Sequence, residues 1–162
     1  MKYMKNMRVA ILGYGNIGKS AEQAVLLAPD MELTGVYHHN DSLDSIAADV
    51  VLICTPTREM GRYAELLLAR GVNVVDSFDV HGDICMPRSR LGAKAVAHRA
   101  VSVVAAGWDP GTDSVMRAML LAMAPEGVTY TNFGPGRSMG HTVAAKAIKG
   151  VKDALSMTIP MG

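Results

Sequence analysis

The chain has 162 residues, 49% of them apolar, and its 16 Lys and Arg nearly balance 15 Asp and Glu. That length builds one ordinary domain with a real core, or one domain and part of a second. Near-zero net charge offers nucleic acid no basic face, and no apolar run reaches the ~20 residues that span a bilayer.

Cys54 and Cys85 are the two cysteines. Their spacing suggests neither zinc nor a disulfide framework, and a reducing cytoplasm is the natural setting. The basic start, Met1 to Met7 with Lys2 and Lys5, leads into a strand-like run broken by Gly13, which is not a signal peptide.

Arg8-Val9-Ala10-Ile11-Leu12 is a short apolar run ending at glycine, as buried parallel strands do. Asn16 to Ala28 has helical spacing through Ile17, Ala21, Ala24, Val25 and Ala28, and stops at Pro29-Asp30. Met31 to Tyr37 reads as a second strand. His38 to Asp49 is polar, with room for a helical turn or two. Val50 to Cys54 is a buried strand closed by Thr55-Pro56. Thr57 to Arg70 is an amphipathic helix with apolar Met60, Tyr63, Ala64, Leu67 and Leu68, ended by Gly71. Val72 to Asp76 is a strand, Arg88 to Arg99 a helix, and Val101 to Ala106 a further strand ended by Gly107. This alternation predicts an α/β fold with a doubly wound parallel sheet.

After Gly107 the character changes. Asp109-Pro110-Gly111 makes a turn, and Thr112 to Ala124 a helix. Val128 to Phe133 alternates, and Gly134-Pro135-Gly136-Arg137-Ser138-Met139-Gly140 is a glycine-rich loop. His141 to Ile148 suits a helix and Ala154 to Ile159 a strand, the opening of a second domain. The reading therefore divides the chain into a dinucleotide-binding domain, 1–111, and the incomplete start of another, 112–162. There is no internal repeat.

Gly13-Tyr14-Gly15-Asn16-Ile17-Gly18 carries the clearest chemistry. It follows a strand directly, opens a helix, and a second strand ends about 20 residues later, the context a dinucleotide fingerprint requires. Gly13 permits the tight turn, Gly15 lets backbone approach a pyrophosphate, and Gly18 lets helix and strand pack closely. The helix start adds free N–H groups and a positive dipole end. NAD sites usually place an acid at the end of the second strand. Here that position reads Tyr37-His38-His39-Asn40, with no carboxylate until Asp41, which tilts the choice toward NADP; the histidines are otherwise solvated loop residues.

Thr55-Pro56-Thr57, Asp76-Ser77-Phe78-Asp79 and Trp108-Asp109-Pro110-Gly111 follow strands at the carboxyl edge, where open α/β sheets bind ligands. Thr55, Pro56, Thr57, Ser77 and Phe78 are expected beside the cofactor. Asp79 and Asp109 place carboxylates in the same crevice, which suits an ammonium-bearing substrate. The alternative makes Asp109 a cap of the next helix, unless Thr112 or Asp113 serves, and Asp79 a loop residue. His81, Asp83 and Cys85 lack a fourth ligand and read as an ordinary loop, so no metal is expected. Cys54 reads as a small buried apolar residue. Met139 is set apart from the core methionines by its place in the glycine-rich loop.

Taken together, the glycine turn, Pro29-Asp30-Met31-Glu32-Leu33, Asp76-Ser77-Phe78-Asp79-Val80-His81, Gly107-Trp108-Asp109-Pro110-Gly111 and Phe133-Gly134-Pro135-Gly136-x-Ser138-Met139-Gly140-His141 resemble meso-diaminopimelate dehydrogenase from Arg8 to Pro160. The last two runs are far more specific than the glycines. The resemblance implies a Rossmann-like sheet followed by the start of an α+β dimerisation and substrate domain, in a homodimeric NADP enzyme. It implies reversible oxidative deamination of the D-centre of meso-2,6-diaminopimelate to L-2-amino-6-oxopimelate and ammonia, in lysine and peptidoglycan synthesis. Asp79 and Asp109 are then the carboxylates on the D-centre's amino group, and Trp108, Phe133, Met139, Gly140 and Thr158 further substrate contacts. Three departures stand out. His38-His39 occupy the place of two arginines for the 2′-phosphate, which leaves NAD open beside NADP. Asn40 to Asp49 is shorter than the family pattern, as though a strand and its loop were missing. The family's chains are also much longer. A truncated dinucleotide-binding piece and a nucleotide-sensing domain without chemistry are the competing readings.

Overall fold

The computed structural model describes residues 5–128, 136–137 and 139–159. By its internal contacts the chain divides into two compact units, Met1–Val115 and Met116–Gly162.

In the first unit, β1 (Met7–Leu12), β2 (Met31–Tyr37), β3 (Val50–Ile53), β4 (Asn73–Asp76) and β5 (Ser102–Val103) form one sheet. Its order is β2-β1-β3-β4-β5, and every pairing is parallel. The runs are short, β-branched and hydrophobic, as strands covered on both faces must be. Leu12 stands opposite both Tyr37 and Ile53, and Ile53 stands opposite Asp76. The segments after β1, β2, β3 and β4 therefore leave the sheet along one line. Chain order reverses between β1 and β3, which makes their carboxyl ends the switch point where ligands of such sheets bind.

The helices cover this sheet unequally. α2 (Thr57–Leu68) buries Met60, Tyr63, Ala64, Leu67 and Leu68, the stripe its sequence spacing marks out. With Leu12, Val51, Ile53, Val74, Leu91 and Ala95, the last two from α3 (Cys85–Ala97), these form the core. Full burial of one such side chain contributes about 1.5–3 kcal/mol. α1 (Asn16–Leu27) behaves differently, because only Gly18 and Val25 are buried. Ile17 is 59% exposed, and with Ala21 and Ala24 it lines an open apolar groove. The helical spacing of α1 is borne out, but most of its apolar positions face outward. Gly18 packs against the Gly13 carbonyl and the Ile11 side chain of β1, and Ile17 next to it is turned outward.

Several boundaries move for identifiable reasons. His38 to Asp49 holds only a 3-10 turn, Leu43–Ser45. The Arg70 guanidinium fixes it by donating to the carbonyls of Leu43, Asp44 and Ile46. α3 starts at Cys85 rather than Arg88, since Pro87 is tolerated in a first turn where its missing N–H costs nothing. The strand expected over 101–106 shrinks to β5. Ala105 sits at φ 60° and its N–H goes to the Asp76 carboxylate, which breaks the ladder there, while the Ala106 N–H returns to the Asp76 carbonyl at the end of β4.

α4 (Thr112–Met123) runs from the first unit into the second. In the second unit β6 (Gly136–Arg137) pairs antiparallel with β7 (Met157–Thr158), and α5 spans Met139–Lys146. Met139 and Gly140 therefore open a helix instead of lying in a loop, and the 154–159 strand contracts to two residues. The buried Thr142 hydroxyl accepts from the Ser156 amide at 2.9 Å, and Lys146 pairs with Asp153 at 2.6 Å. The alternating run expected to end at Phe133 lies, from 129 on, outside the described residues.

Candidate functional site

At the switch point the glycine turn is wedged between two strand ends. The Gly13 amide donates to the Tyr37 carbonyl at 2.8 Å, and the Cys54 amide donates to the Leu12 carbonyl at 2.7 Å. Gly13 has φ +99°, and a Cβ there would lie 2.7 Å from the Cys54 carbonyl. A Cβ on Gly18 would lie 2.0 Å from the Gly13 carbonyl oxygen. Both glycines are thus explained by packing within the chain. Gly15 is not, because a Cβ there would meet nothing within 4 Å. Its open backbone lies at the N-terminal end of α1, where unpaired N–H groups and the helix dipole favour an anion. Next to Gly13, Thr55 is 7% exposed and its hydroxyl oxygen is buried without a partner among the described residues. Such a group needs a reason. A cradle open at Gly15 and an unused hydroxyl beside it fit a bound dinucleotide.

Beside the glycine turn, Tyr14, His38 and their neighbours, the residues expected at an adenosine end, come together. Tyr14 donates to Glu22 at 2.6 Å, and that bond raises the phenol above its ordinary range. Its ring meets the His38 ring edge-on at 6.0 Å, and the Lys19 ammonium lies 5.8 Å from the Tyr14 centroid. His39 is exposed. The end of β2 carries no acid, as read, and the first carboxylate beyond it is that of Asp41. Asp41 folds back, its Oδ2 accepting from the His38 amide at 2.7 Å while its own amide donates to the His38 carbonyl at 3.0 Å. Its carboxylate caps the turn that follows β2. Its signal was the turn-forming tendency of Asn and Asp after a strand.

Further along the edge, the Thr57 hydroxyl donates to Asp79 Oδ1 at 2.6 Å. A residue expected on the cofactor thus holds the carboxylate expected on the substrate, and joins the start of α2 to the loop after β4. Asp76, 3% exposed, shapes that loop by accepting from the amides of Phe78 at 3.0 Å and Ala105 at 3.2 Å. Burial pushes its carboxyl up, against those two amides. Sequence reading passed over Asp76 as a site former, since nothing local links it to Ala105. Pro56 is exposed, and Ser77 and Phe78 are half-buried beside this loop. Burial pushes the Cys54 thiol up to about 11, so it stays a protonated, inert side chain.

Asp109 is tied to the start of the following helix. Ser114, in the first turn of α4, donates to Asp109 Oδ1 at 3.2 Å and accepts from the Gly111 amide at 3.2 Å. The half-buried carboxylate is anchored to the helix start through the Ser114 hydroxyl. Trp108 beside it is 52% exposed. His81 and Asp83 form a 3-10 turn ahead of the exposed Cys85, and no cluster of potential metal ligands occurs among the described residues. Of the second-unit candidates, Met139 and Gly140 begin α5 and Thr158 ends β7. Phe133 lies outside the described residues.

The chain matches the family model for the diaminopimelic acid dehydrogenase C-terminal domain over residues 107–162. It is 53% identical to a meso-diaminopimelate D-dehydrogenase of Bacteroides fragilis, over 98% of this chain and 58% of that protein. Among solved structures, the Corynebacterium glutamicum DAP dehydrogenase in complex with DAP superposes with a TM-score of 0.76 at 34% identity, covering 94% of this chain and 52% of that one. An engineered D-amino acid dehydrogenase bound to NADP+ gives a TM-score of 0.70 at 32% identity, covering 93% and 52%. The chain thus spans little more than half the length of the relatives it matches.

Proposed function

The chain belongs to the meso-diaminopimelate dehydrogenase family over the half of those proteins that it spans, and from that premise we propose that it carries the cofactor and D-centre half of an NADP-dependent dehydrogenase. The reaction is reversible oxidative deamination of the D-centre of meso-2,6-diaminopimelate to L-2-amino-6-oxopimelate and ammonia. The observation that carries the reading is the alignment of one sheet edge. It presents a glycine cradle open at Gly15 and, two strands away, an aspartate held by Thr57.

Each residue then has a task. Gly13 to Gly18 and the start of α1 hold the pyrophosphate, with Tyr14, Asn16, His38 and His39 toward the adenosine and Thr55, Pro56, Ser77 and Phe78 along the rest. When bound, the dinucleotide accepts the hydride from the substrate. Asp79 binds the D-centre ammonium, and the bond from Thr57 fixes which oxygen faces it. Asp109 is the second carboxylate on that group. Two negative charges orient the Cα–H by proximity and stabilise the cationic carbon–nitrogen centre left after hydride loss. The ammonium gives up one proton as the hydride leaves, water adds to the resulting iminium, and the nitrogen departs as ammonium, with one proton released overall. In this reading Trp108, Phe133, Met139, Gly140 and Thr158 are further substrate contacts. In this reading residues 112–162 open a substrate and dimerisation domain, in a cytoplasmic homodimer; the match of residues 107–162 to the family's C-terminal domain supports the domain part of it.

The test is a coupled assay on the purified protein with NADP and meso-diaminopimelate. The expected result is equal release of NADPH and ammonia, lost in Asp79→Asn. Tight dinucleotide binding with no turnover would replace the dehydrogenase reading with that of a nucleotide-binding domain.

A further inference from the structure

We propose that Asp76 is a positioning residue for the deamination: its buried carboxylate, at the end of β4, ties the loop that carries Asp79 to the loop that carries Asp109, and so fixes where the two carboxylates meet one ammonium. This rests on the dehydrogenase reading above and gives a task to a residue that reading leaves without one.

Asp79 and Asp109 lie on the loops that follow β4 and β5, neighbouring strands of the sheet. The ladder between those strands is short, pairing Val74 with Ser102 and Val75 with Val103. Directly beyond it Asp76 takes over. Its Oδ1 accepts from the Phe78 amide at 3.0 Å and from the Ala105 amide at 3.2 Å, and its carbonyl accepts from the Ala106 amide at 2.7 Å. One side chain thus joins the residue next to Asp79 to the segment that leads into Asp109. Ala105 stands at φ 60°, a conformation that a residue with a Cβ keeps only where its surroundings over-determine it. Where the loops run on, a Cβ on Gly107 would lie 3.4 Å from the Cβ of Ser77, so the two segments stay in contact above the clamp.

Each carboxylate has its own holder, Thr57 for Asp79 and Ser114 for Asp109. Neither holder relates one loop to the other, and Asp76 does. Two like charges converging on one ammonium repel each other until it arrives, so their spacing needs a frame that does not yield. At 3% exposure Asp76 is too deep to meet the substrate itself, and it acts through the two loops. Capping the turn at Phe78 alone needs no charged group, because a serine or asparagine serves there. Burying a carboxylate costs more, and the second, distant amide accounts for it.

Steady-state kinetics of the purified protein with NADP and meso-diaminopimelate, beside calorimetric titration with NADP, test this. Asp76→Asn keeps an oxygen for both amides and should hold kcat/KM for meso-diaminopimelate within about fivefold of wild type. Asp76→Ser keeps an acceptor for the Phe78 amide but is one bond too short for Ala105. It should lower that kcat/KM about tenfold or more and leave the NADP dissociation constant within about threefold. In an Asp109→Asn background the same change should cost at least about threefold less, since one charge is left to place. If Asp76→Ser does not fold, Ala105→Gly added to it removes the strain of the positive φ, and the folded double variant should show the same fall. An Asp76→Ser variant with kcat/KM unchanged and a lowered melting temperature would overturn the proposal and leave Asp76 purely structural. So would losses that simply add in the two backgrounds, an NADP affinity that falls with turnover, or an Asp76→Asn variant as impaired as Asp76→Ser. Absence of turnover in the wild-type protein would sink the dehydrogenase reading itself, a different result from turnover indifferent to Asp76.

Discussion

In Met1–Val115 the side chains of β1, β3, β4 and one face of α2 interlock, and Ile11, Leu12, Ile53, Leu67 and Leu68 are all less than 2% exposed. In Met116–Gly162 the residues of α4 stay open: Met116, Met119, Leu120, Leu121 and Met123 range from 44% to 79% exposed. Thr142 is the buried residue there among those described, and it is polar. The first unit has the interior that apolar burial needs to fix one structure, with the candidate cofactor edge as its rim. In this chain the second is organised by a short ladder, a hydroxyl–amide bond and an ion pair. Similar apolar content yields different stability depending on whether it finds partners.

The largest effect should come from deleting core volume. Leu67→Ala is expected to cost about 2–5 kcal/mol by urea unfolding, and Leu121→Ala no more than about 0.5 kcal/mol. Equal losses would break the contrast between the units.

Within the first unit the glycines sharpen it further. Gly18→Ala drives a methyl into the Gly13 carbonyl, so it should lower the melting temperature and abolish cofactor binding together. Gly15→Ala meets no protein atom. It should leave melting within a degree or two and weaken dinucleotide binding about tenfold, roughly 1.4 kcal/mol. Melting and binding that fell together at Gly15 would make the cradle merely structural.

A smaller effect is expected at Thr57→Val, which removes the 2.6 Å donor to Asp79. Turnover of meso-diaminopimelate should fall several-fold while NADP affinity holds. Weakened cofactor binding with intact turnover would return Thr57 to the cofactor.

The smallest effect lies at the far end of β1. The Arg8 guanidinium grips Asp49 at 2.8 Å and, with the Arg8 amide, lowers its carboxyl to about 2. A carboxylate whose folded pKa is depressed stabilises the protein above its ordinary value near 4, and that stability is lost as pH falls toward 2. The urea midpoint should therefore drop over this range, and less in Asp49→Asn. Both side chains are partly exposed, so the difference should shrink in high salt. An Asp49→Asn curve parallel to wild type would remove the pair from the acid limb.

How much of this was legible follows from the range of each signal. β2 and the start of α1 were placed to the residue, because alternation, helix spacing and Pro29 act within a few positions. The glycine turn was legible for the same reason. β5 was read too long since Asp76, far away in sequence, takes the Ala105 amide out of the ladder. Asp79 and Thr57 were each singled out, but for separate ligands, because their bond joins residues 22 apart.

By itself, then, the sequence determined the strand-and-helix alternation, the dinucleotide turn and the family likeness, all encoded in contiguous residues whose spacing is their meaning. Tertiary structure alone decided that Ile17 faces outward, that Gly15 looks onto open space, that Thr57 holds Asp79, and that Asp41 returns to the end of β2. Each of those depends on where chain reversal and strand register bring atoms together, and no local pattern carries that information.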